Sequence, residues 1–267
     1  MGKVHYLKNP KNPQIWFCAS DWHLDHLHIE SFNILCKHAK SLEPWHRNLI
    51  INGDFNDFSF LMPKNEGFKK WIDRKDGIDE FFIPHYEDEI KLANDTLDAL
   101  QMIFKNIIFI HGNHDGPRVD LFREKFCPNG YKHIFHLDES MGLKQRGIKS
   151  IPYNDWLDFG KIAITHGMFH GPTAHLKHYM ASGGKNTLFS HIHQYKSAPF
   201  MVRGETRSST STPSMATLNP EYLKNAENSW HNGYVTLYMK PNGNFNLSPH
   251  LVWNNELMLP NGKIIYG

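Results

Sequence analysis

Residues 107–118 read IIFIHGNHDGPR, and this stretch decides the architecture. Ile107, Ile108, Phe109 and Ile110 form a short run of β-branched and aromatic residues, the composition of a buried strand. The run stops at Gly112-Asn113-His114-Asp115-Gly116-Pro117, where turn formers and polar groups crowd together. Such a strand sets amide, imidazole and carboxylate groups at the carboxyl edge of a sheet, where open α/β folds keep their ligands. A polar loop after a strand often does nothing, so the tetrapeptide needs company elsewhere in the chain.

Four other segments repeat the pattern. Residues 15–19 (IWFCA) lead to Asp21 and His23, and residues 48–52 (NLIIN) lead to Gly53-Asp54, with a glycine that permits close backbone approach. Residues 161–165 (KIAIT) end in His166-Gly167, and residues 186–189 (NTLF) run into Ser190-His191-Ile192-His193. The last two histidines can face one site if the backbone turns between them. Each loop has a bland explanation: Asp21 can cap the following helix and His23 can sit at the surface. A series of five is much harder to explain that way.

Helical periodicity covers residues 29–39, 88–104 and 119–126, with Met102 assigned to the apolar face of the second. Residues 1–14 read as a polar lead-in, and the aromatic, charged segment 63–87 as an inserted loop or short helices at a rim. Residues 132–152 look strand-like, with His133 and His136 as ordinary sheet or surface histidines. His175 and His178 are expected to face solvent. The Ser/Thr-rich segment 201–213 reads as a loop or exposed strand carrying Arg203 and Arg207. Residues 233–239 and 245–252 form a hairpin through Asn242-Gly243, and Pro260-Asn261-Gly262 marks one more turn. Gly183-Gly184-Lys185-Asn186 is not a P-loop, because it lacks the earlier glycine and the Ser or Thr after lysine. There is no internal repeat and no linker. Residues 1–267 therefore read as a single domain, with its motifs in 15–195 and C-terminal strands in 200–267.

Composition narrows the class. Of 267 residues, 40% are hydrophobic and 21% charged, which is ordinary for a globular protein. A net charge of +2 gives no electrostatic footprint that would demand nucleic acid. The three cysteines show no CxxC pairing, which argues against a disulfide framework or a thiolate zinc site. No apolar run is long enough to cross a bilayer, and Tyr6 stands where a myristoylation signal needs Ser or Thr. A cytoplasmic protein without a membrane or an obligatory protein partner is the expectation. Nineteen histidines point instead to transition metals.

Collected in order, the loops offer Asp21, His23, Asp54, Asn113, His114, His166, His191 and His193. All except His114 suit two divalent ions sharing a carboxylate, and the mixed O/N set suits Mn2+ first, with Fe or Zn2+ as alternatives. Two such ions clamp the attacking and leaving oxygens of an in-line displacement at phosphorus, with a bridging hydroxide as nucleophile. A neighbouring histidine can protonate the leaving group.

Asp21-x-His23, Gly53-Asp54, Gly112-Asn113-His114-Asp115, His166 and His191-x-His193 together resemble the calcineurin-like metallophosphoesterase superfamily. The opening D-x-H-x-x-H, which ends at His26, is similar to its small single-domain members. The resemblance implies a four-layer α/β/β/α sandwich of two mixed sheets flanked by helices. It implies that Asp21, His23 and His193 hold one metal, that Asp54 bridges, and that Asn113, His166 and His191 hold the other. His114 would be the general acid contacting phosphate beside Asn113, with Asp115 orienting it and His26 lining the site. Ser190 departs from the usual Gly-His-x-His, so a slightly different turn with retained ligation is expected. Phe58-Ser59 and GNHD depart from the protein Ser/Thr phosphatase pattern, which disfavours that class.

The function expected is phosphodiester hydrolysis of a nucleic acid, a cyclic nucleotide or a nucleotide-derived compound. A monoester dianion would want a fixed cation, and only Arg118 adjoins a motif. The alternative is a phosphomonoesterase using Arg118, Arg203 or Lys196 as clamp. A metal-binding interaction module without turnover is a third reading, which the intact His114 disfavours. The aromatics of 63–87 and the basic 196–211 stretch offer stacking and charge for a nucleotide, or else a plain rim and surface hairpin.

Overall fold

A computed structural model of the chain describes residues 2–220, 223–224 and 227–267. Two six-stranded mixed sheets carry the fold. The first has β2 (Gln14–Ala19), β3 (Asn48–Asn52), β4 (Asn106–Ile110) and β5 (Lys149–Ile151) side by side and parallel. It is completed by β11 (Gly233–Met239), antiparallel to β2, and β12 (Phe245–Leu251), the hairpin expected around Asn242-Gly243. The second sheet runs β1 (Val4–Leu7), β6 (Trp156–Phe159), β7 (Ile162–Ile164), β8 (Asn186–Phe189), β10 (Glu205–Ser211) and β9 (Lys196–Val202). A small hairpin, β13 (Glu256–Met258) with β14 (Ile264–Tyr266), packs near helix α1 (Ile29–Lys40).

Side-chain alternation explains the layers. Trp16, Cys18, Ile50, Ile108 and Ile110 point between the sheets and meet Leu157, Phe159, Ile162, Ile164 and Leu188. Their neighbours Phe17, Ala19, Leu49, Ile51, Ile107 and Phe109 point the other way, into a core shared with α1 and α3 (Ile83–Gln101). Strands covered on both faces carry unbroken apolar runs, which is why the strands of residues 15–19, 48–52 and 107–110 were legible. Helix α6 (Ala174–Ala181) covers the outer face of the second sheet. The order is helix, sheet, sheet, helix.

Several local expectations are corrected. The lead-in contains β1, which pairs in parallel with β6. Residues 132–147 are turns around the short α5 (Leu137–Ser140), and only Lys149–Ile151 is a strand. Helix α3 begins five residues earlier than its periodicity suggests and runs on directly from a π-helical turn at Ile78–Phe82, with Pro84 at the junction. Met102 lies just past its end and is exposed, not in the core. Segment 63–87 forms short helices, one of the two forms expected for it: α2 (Glu66–Trp71) and the π-helical turn at Ile78–Phe82. Phe68, Phe82 and Tyr86 are buried while their charged neighbours stay exposed. Trp71 stacks on Phe81, so these rings are already occupied. His175 and His178 are buried rather than solvent-facing; the His178 ring lies 3.9 Å from that of Phe189 and pairs with the Ala174 carbonyl. Segment 196–211 is the hairpin β9–β10 at the sheet edge.

Candidate functional site

The ends of β2, β3, β4, β7 and β8 open onto one crevice, and main-chain bonds tie their loops together. Asp21 N–H donates to the Gly53 carbonyl at 3.0 Å, His23 N–H to the Asp54 carbonyl at 3.0 Å, and Ser190 N–H to the His166 carbonyl at 2.6 Å. Gly53 and Gly112 let the loops come this close. A Cβ on Gly53 would stand 2.2 Å from His166 Nδ1, and one on Gly112 would stand 2.0 Å from Asp54 Oδ1.

Five candidate ligands sit in the left-handed backbone region: Asp21 (φ 51°), His23 (39°), Asp54 (49°), His191 (75°) and His193 (55°). Non-glycine residues held there cost about 1–3 kcal/mol each and gather at functional sites. The turn at each position brings side chains that alternate along a strand to a common point. It also explains how His191 and His193, two apart, both face inward.

The side chains form overlapping groups whose nitrogen and oxygen atoms all lie within 4.8 Å of one another: Asp21, His23 and His193; Asp54, His166 and His191; and His23, Asp54 and His114. Asp54 belongs to two of them. Its Oδ2 is 3.2 Å from His166 Nε2 and 4.0 Å from His23 Nε2, while its Oδ1 accepts the His114 N–H at 2.8 Å. Asn113 Oδ1 is 3.2 Å from His166 Nε2. Asp21 Oδ1 and His23 Nε2 are buried with no hydrogen-bond partner, a state that native folds avoid unless something else binds there. The donor set is imidazole, carboxylate and amide, while Cys18, Cys36 and Cys127 are buried free thiols. These residues could hold divalent metal ions.

Electrostatics follow from this crowding. Burial alone would raise the Asp54 carboxyl, but the His166, His114 and His23 imidazoles outweigh it and hold it well below the carboxylate range. Asp21 is likewise held near 2, burial being overcome by His193 and His166. Burial opposes charge on His166, yet the Asp54 carboxylate raises it to about 9. His191, buried and beside His166, is pushed down to about 4.

Asp57 is the residue that the sequence did not single out. Its Oδ1 accepts from His114 Nδ1 at 2.8 Å and from His23 Nδ1 at 2.9 Å, which turns the Nε2 atom of both rings inward. Asp115 takes a different place from the one expected: among the described residues its carboxylate bonds main-chain N–H groups, while the His114 ring is bonded by Asp57. The Asp115 carboxylate accepts the N–H groups of Gly112 (3.0 Å), Asn56 (2.9 Å) and Phe55 (3.2 Å), so it pins the β3 and β4 loops together. Buried Glu89 from α3 braces the same loop through Phe58 N–H at 2.8 Å.

Arg118 Nη1 donates to the Asp57 carbonyl, which anchors one edge of its guanidinium to the loop. Arg203 sits at the turn of the β9–β10 hairpin, roughly seven residues or about 23 Å along the strand from the site edge. Lys196 is at the site end of β9 and exposed. His26 follows His23 on a short 3-10 turn and binds the C-terminal segment, its carbonyl accepting Thr217 N–H at 2.8 Å.

A chain of hydroxyls lies beneath the ligands. Asn52 Nδ2 donates to Ser190 Oγ at 2.6 Å, Ser190 pairs with Thr212 at 2.8 Å, Thr212 with Ser20 at 2.7 Å, and Ser20 donates to Asp21 Oδ2 at 2.8 Å. Ser190, at the position where glycine is usual, therefore links two loops. The wall of the site also includes Trp230, whose ring is 4.3 Å from that of His193. Thr212 and Trp230 lie outside the run of motifs, and no spacing rule points to them.

Comparison with known proteins follows the geometry. No curated protein matches the chain in sequence. Among solved structures, a single mutant of Vps29 from Entamoeba histolytica is similar, at 8% identity and TM-score 0.43, over 95% of this chain and 99% of that one. The phosphopantetheinyl hydrolase of Mycobacterium tuberculosis is similar at 12% identity and TM-score 0.33, over 83% and 95%. The family model described as calcineurin-like phosphoesterase matches residues 15–209, and the chain belongs to that family.

Proposed function

We propose that the protein is a metal-dependent phosphodiesterase with a dinuclear centre. The observation that carries this reading is the pair of ligand groups, Asp21/His23/His193 and Asp54/His166/His191, with the His114 ring beside both. Asp21, His23 and His193 would hold one divalent ion, Mn2+ being our assignment. Asn113, His166 and His191 would hold the second, and Asp54 would serve both. Bound there, the two ions supply charge neutralisation at phosphorus and water activated at neutral pH.

The rest is the work of this chain. Asp57 keeps the His114 Nδ1–H engaged, so Nε2 is the atom that exchanges a proton with the leaving oxygen. The Asn113 amide, beside His166, and His114 together border the place of the phosphate. Asp115 acts on the loop rather than on the proton, and His26 borders the site from its 3-10 turn. A monoester dianion would call for a guanidinium aimed at the phosphate, and Arg118 is anchored to the Asp57 carbonyl through Nη1 while Arg203 is remote. This favours diesters over monoesters. A phosphomonoesterase would have to rely on Lys196.

The test is hydrolysis of bis-p-nitrophenyl phosphate against p-nitrophenyl phosphate with Mn2+ and with chelator. Metal-dependent preference for the diester is expected. Preference for the monoester would overturn the diester assignment, and no turnover of either by metal-loaded protein would favour an interaction module.

A further inference from the structure

One end of the site is closed by an arm of chain from outside the run of motifs. His231 N–H donates to the His193 carbonyl at 2.9 Å, and the His231 carbonyl accepts Ser214 N–H at 2.8 Å. Just before it, Trp230 N–H donates to Asn228 Oδ1 at 3.0 Å, and Asn228 Nδ2 donates to the Leu218 carbonyl at 2.9 Å. Trp230 is therefore held from both sides, its backbone fixed to the loop that carries His193. Its ring centre lies 4.3 Å from that of His193, at an interplanar angle of 48°. His193 Nε2 in turn is 3.4 Å from Asp21 Oδ1, inside one of the ligand groups. The indole borders the ligands directly.

Trp230 is only partly buried. Among the described residues His193 is the one ring packed against it, whereas Phe68, Trp71, Phe81 and Phe82 of segment 63–87 pack on one another. A pinned indole offers a large, rigid contact with only two side-chain torsions to lose on binding. Its face carries no hydrogen-bond code, so it accepts any planar ring that reaches it. A quaternary ammonium would instead call for a cage of several aromatic rings, and one indole is not a cage. The feature fits a flat, uncharged ring attached to whatever occupies the ligand groups.

We propose that Trp230 is a stacking platform for a nucleobase on one arm of the bound phosphoester, selecting base-bearing esters over base-free ones without choosing among the bases. The His23 ring links the platform to the chemistry: its centre is 5.3 Å from that of His193 and 4.6 Å from that of His114. Platform and candidate acid therefore stand at the same end of the site. The proposal rests on the phosphoesterase reading for its place in turnover and deepens it by naming the substrate class as nucleotide esters. Base recognition itself is measured by binding alone.

The test is calorimetric titration of the Mn2+-loaded full chain with adenosine 5′-monophosphate, uridine 5′-monophosphate, ribose 5-phosphate and phosphocholine. Both nucleotides are expected to bind about 5–100-fold more tightly than ribose 5-phosphate, the worth of one stacked base. Phosphocholine is expected to bind no more tightly than ribose 5-phosphate. Trp230→Leu keeps an apolar side chain against His193 and removes the flat face. It is expected to erase the base preference and leave Mn2+ affinity unchanged, while Trp230→Phe keeps most of the preference. Equal binding of nucleotides and ribose 5-phosphate by the native protein, no binding of any of the four, or tighter binding of phosphocholine would each overturn the platform. So would a preference that survives Trp230→Leu. A Trp230→Leu variant that loses Mn2+ affinity and weakens all four alike would make Trp230 a brace for His193 and overturn it too. A base preference without hydrolysis of any diester would refute the proposed function and leave the platform standing.

Discussion

His114 Nδ1 lies 2.8 Å from Asp57 Oδ1, and the same oxygen stands 2.9 Å from His23 Nδ1. One carboxylate thus sets a candidate acid and a candidate ligand together. Burial would raise Asp57, but its bonds to both imidazoles prevail and hold it well below the usual range. Asp57→Asn keeps the shape and removes the charge. It is expected to cost about 10–100-fold in Mn2+ affinity and a similar factor in diester turnover. Titration with Mn2+ and steady-state kinetics on bis-p-nitrophenyl phosphate check both, and unchanged values would reduce Asp57 to a loop brace.

Ser190→Ala tests the hydroxyl chain. It leaves the Asn52 amide and the Thr212 hydroxyl each short of a buried partner, at a cost of about 1–3 kcal/mol. For a chain of this size the melting temperature falls by about 2–4 °C for each kcal/mol lost. A melt unchanged by the substitution would mean that the chain contributes nothing to stability.

Metal binding is expected to release a proton. The Asp54 carboxylate holds His166 protonated up to about pH 9 without metal, and an ion taking Nε2 must displace that proton. Mn2+ affinity should therefore rise as pH increases from 6 towards 9. Calorimetry at pH 7 in buffers of different ionisation enthalpy should count close to one proton, and His166→Ala should lose it.

Acid should weaken the fold through three buried histidines outside the site. Burial lowers His38 to about 4, His178 to about 4 and His250 to about 3. Each takes its proton near 6.5 when unfolded, so the stability from staying neutral is complete above 6.5. It erodes as pH falls from there towards 4, by about 1.4 kcal/mol per pH unit for each group. Melting temperature against pH should show this slope, and His250→Gln should flatten it.

Much of the fold was legible because β2, β3 and β4 are covered on both faces and write continuous apolar runs. β1 and the turns of 132–147 were not, because edge pairing and irregular turns leave no period. His178 was misplaced for a related reason: a buried imidazole that bonds its own helix carbonyl looks the same in sequence as a solvated one. Among the site residues, those directly after strands could be read from position. Asp57, three residues past Asp54, acts through a turn that only the folded loop reveals. Thr212 and Trp230 arrive from the C-terminal part through tertiary packing alone.

The central claim is that these side chains hold two metals for His114 to act beside. Its most direct test compares native protein with His114→Ala, each first shown by titration to bind two equivalents of Mn2+, for hydrolysis of bis-p-nitrophenyl phosphate. The account predicts metal-dependent cleavage by the native protein, abolished by chelator and reduced by about 10²–10⁴-fold in the variant. Native protein that binds two metals and cleaves nothing, or a variant as fast as native, would contradict it.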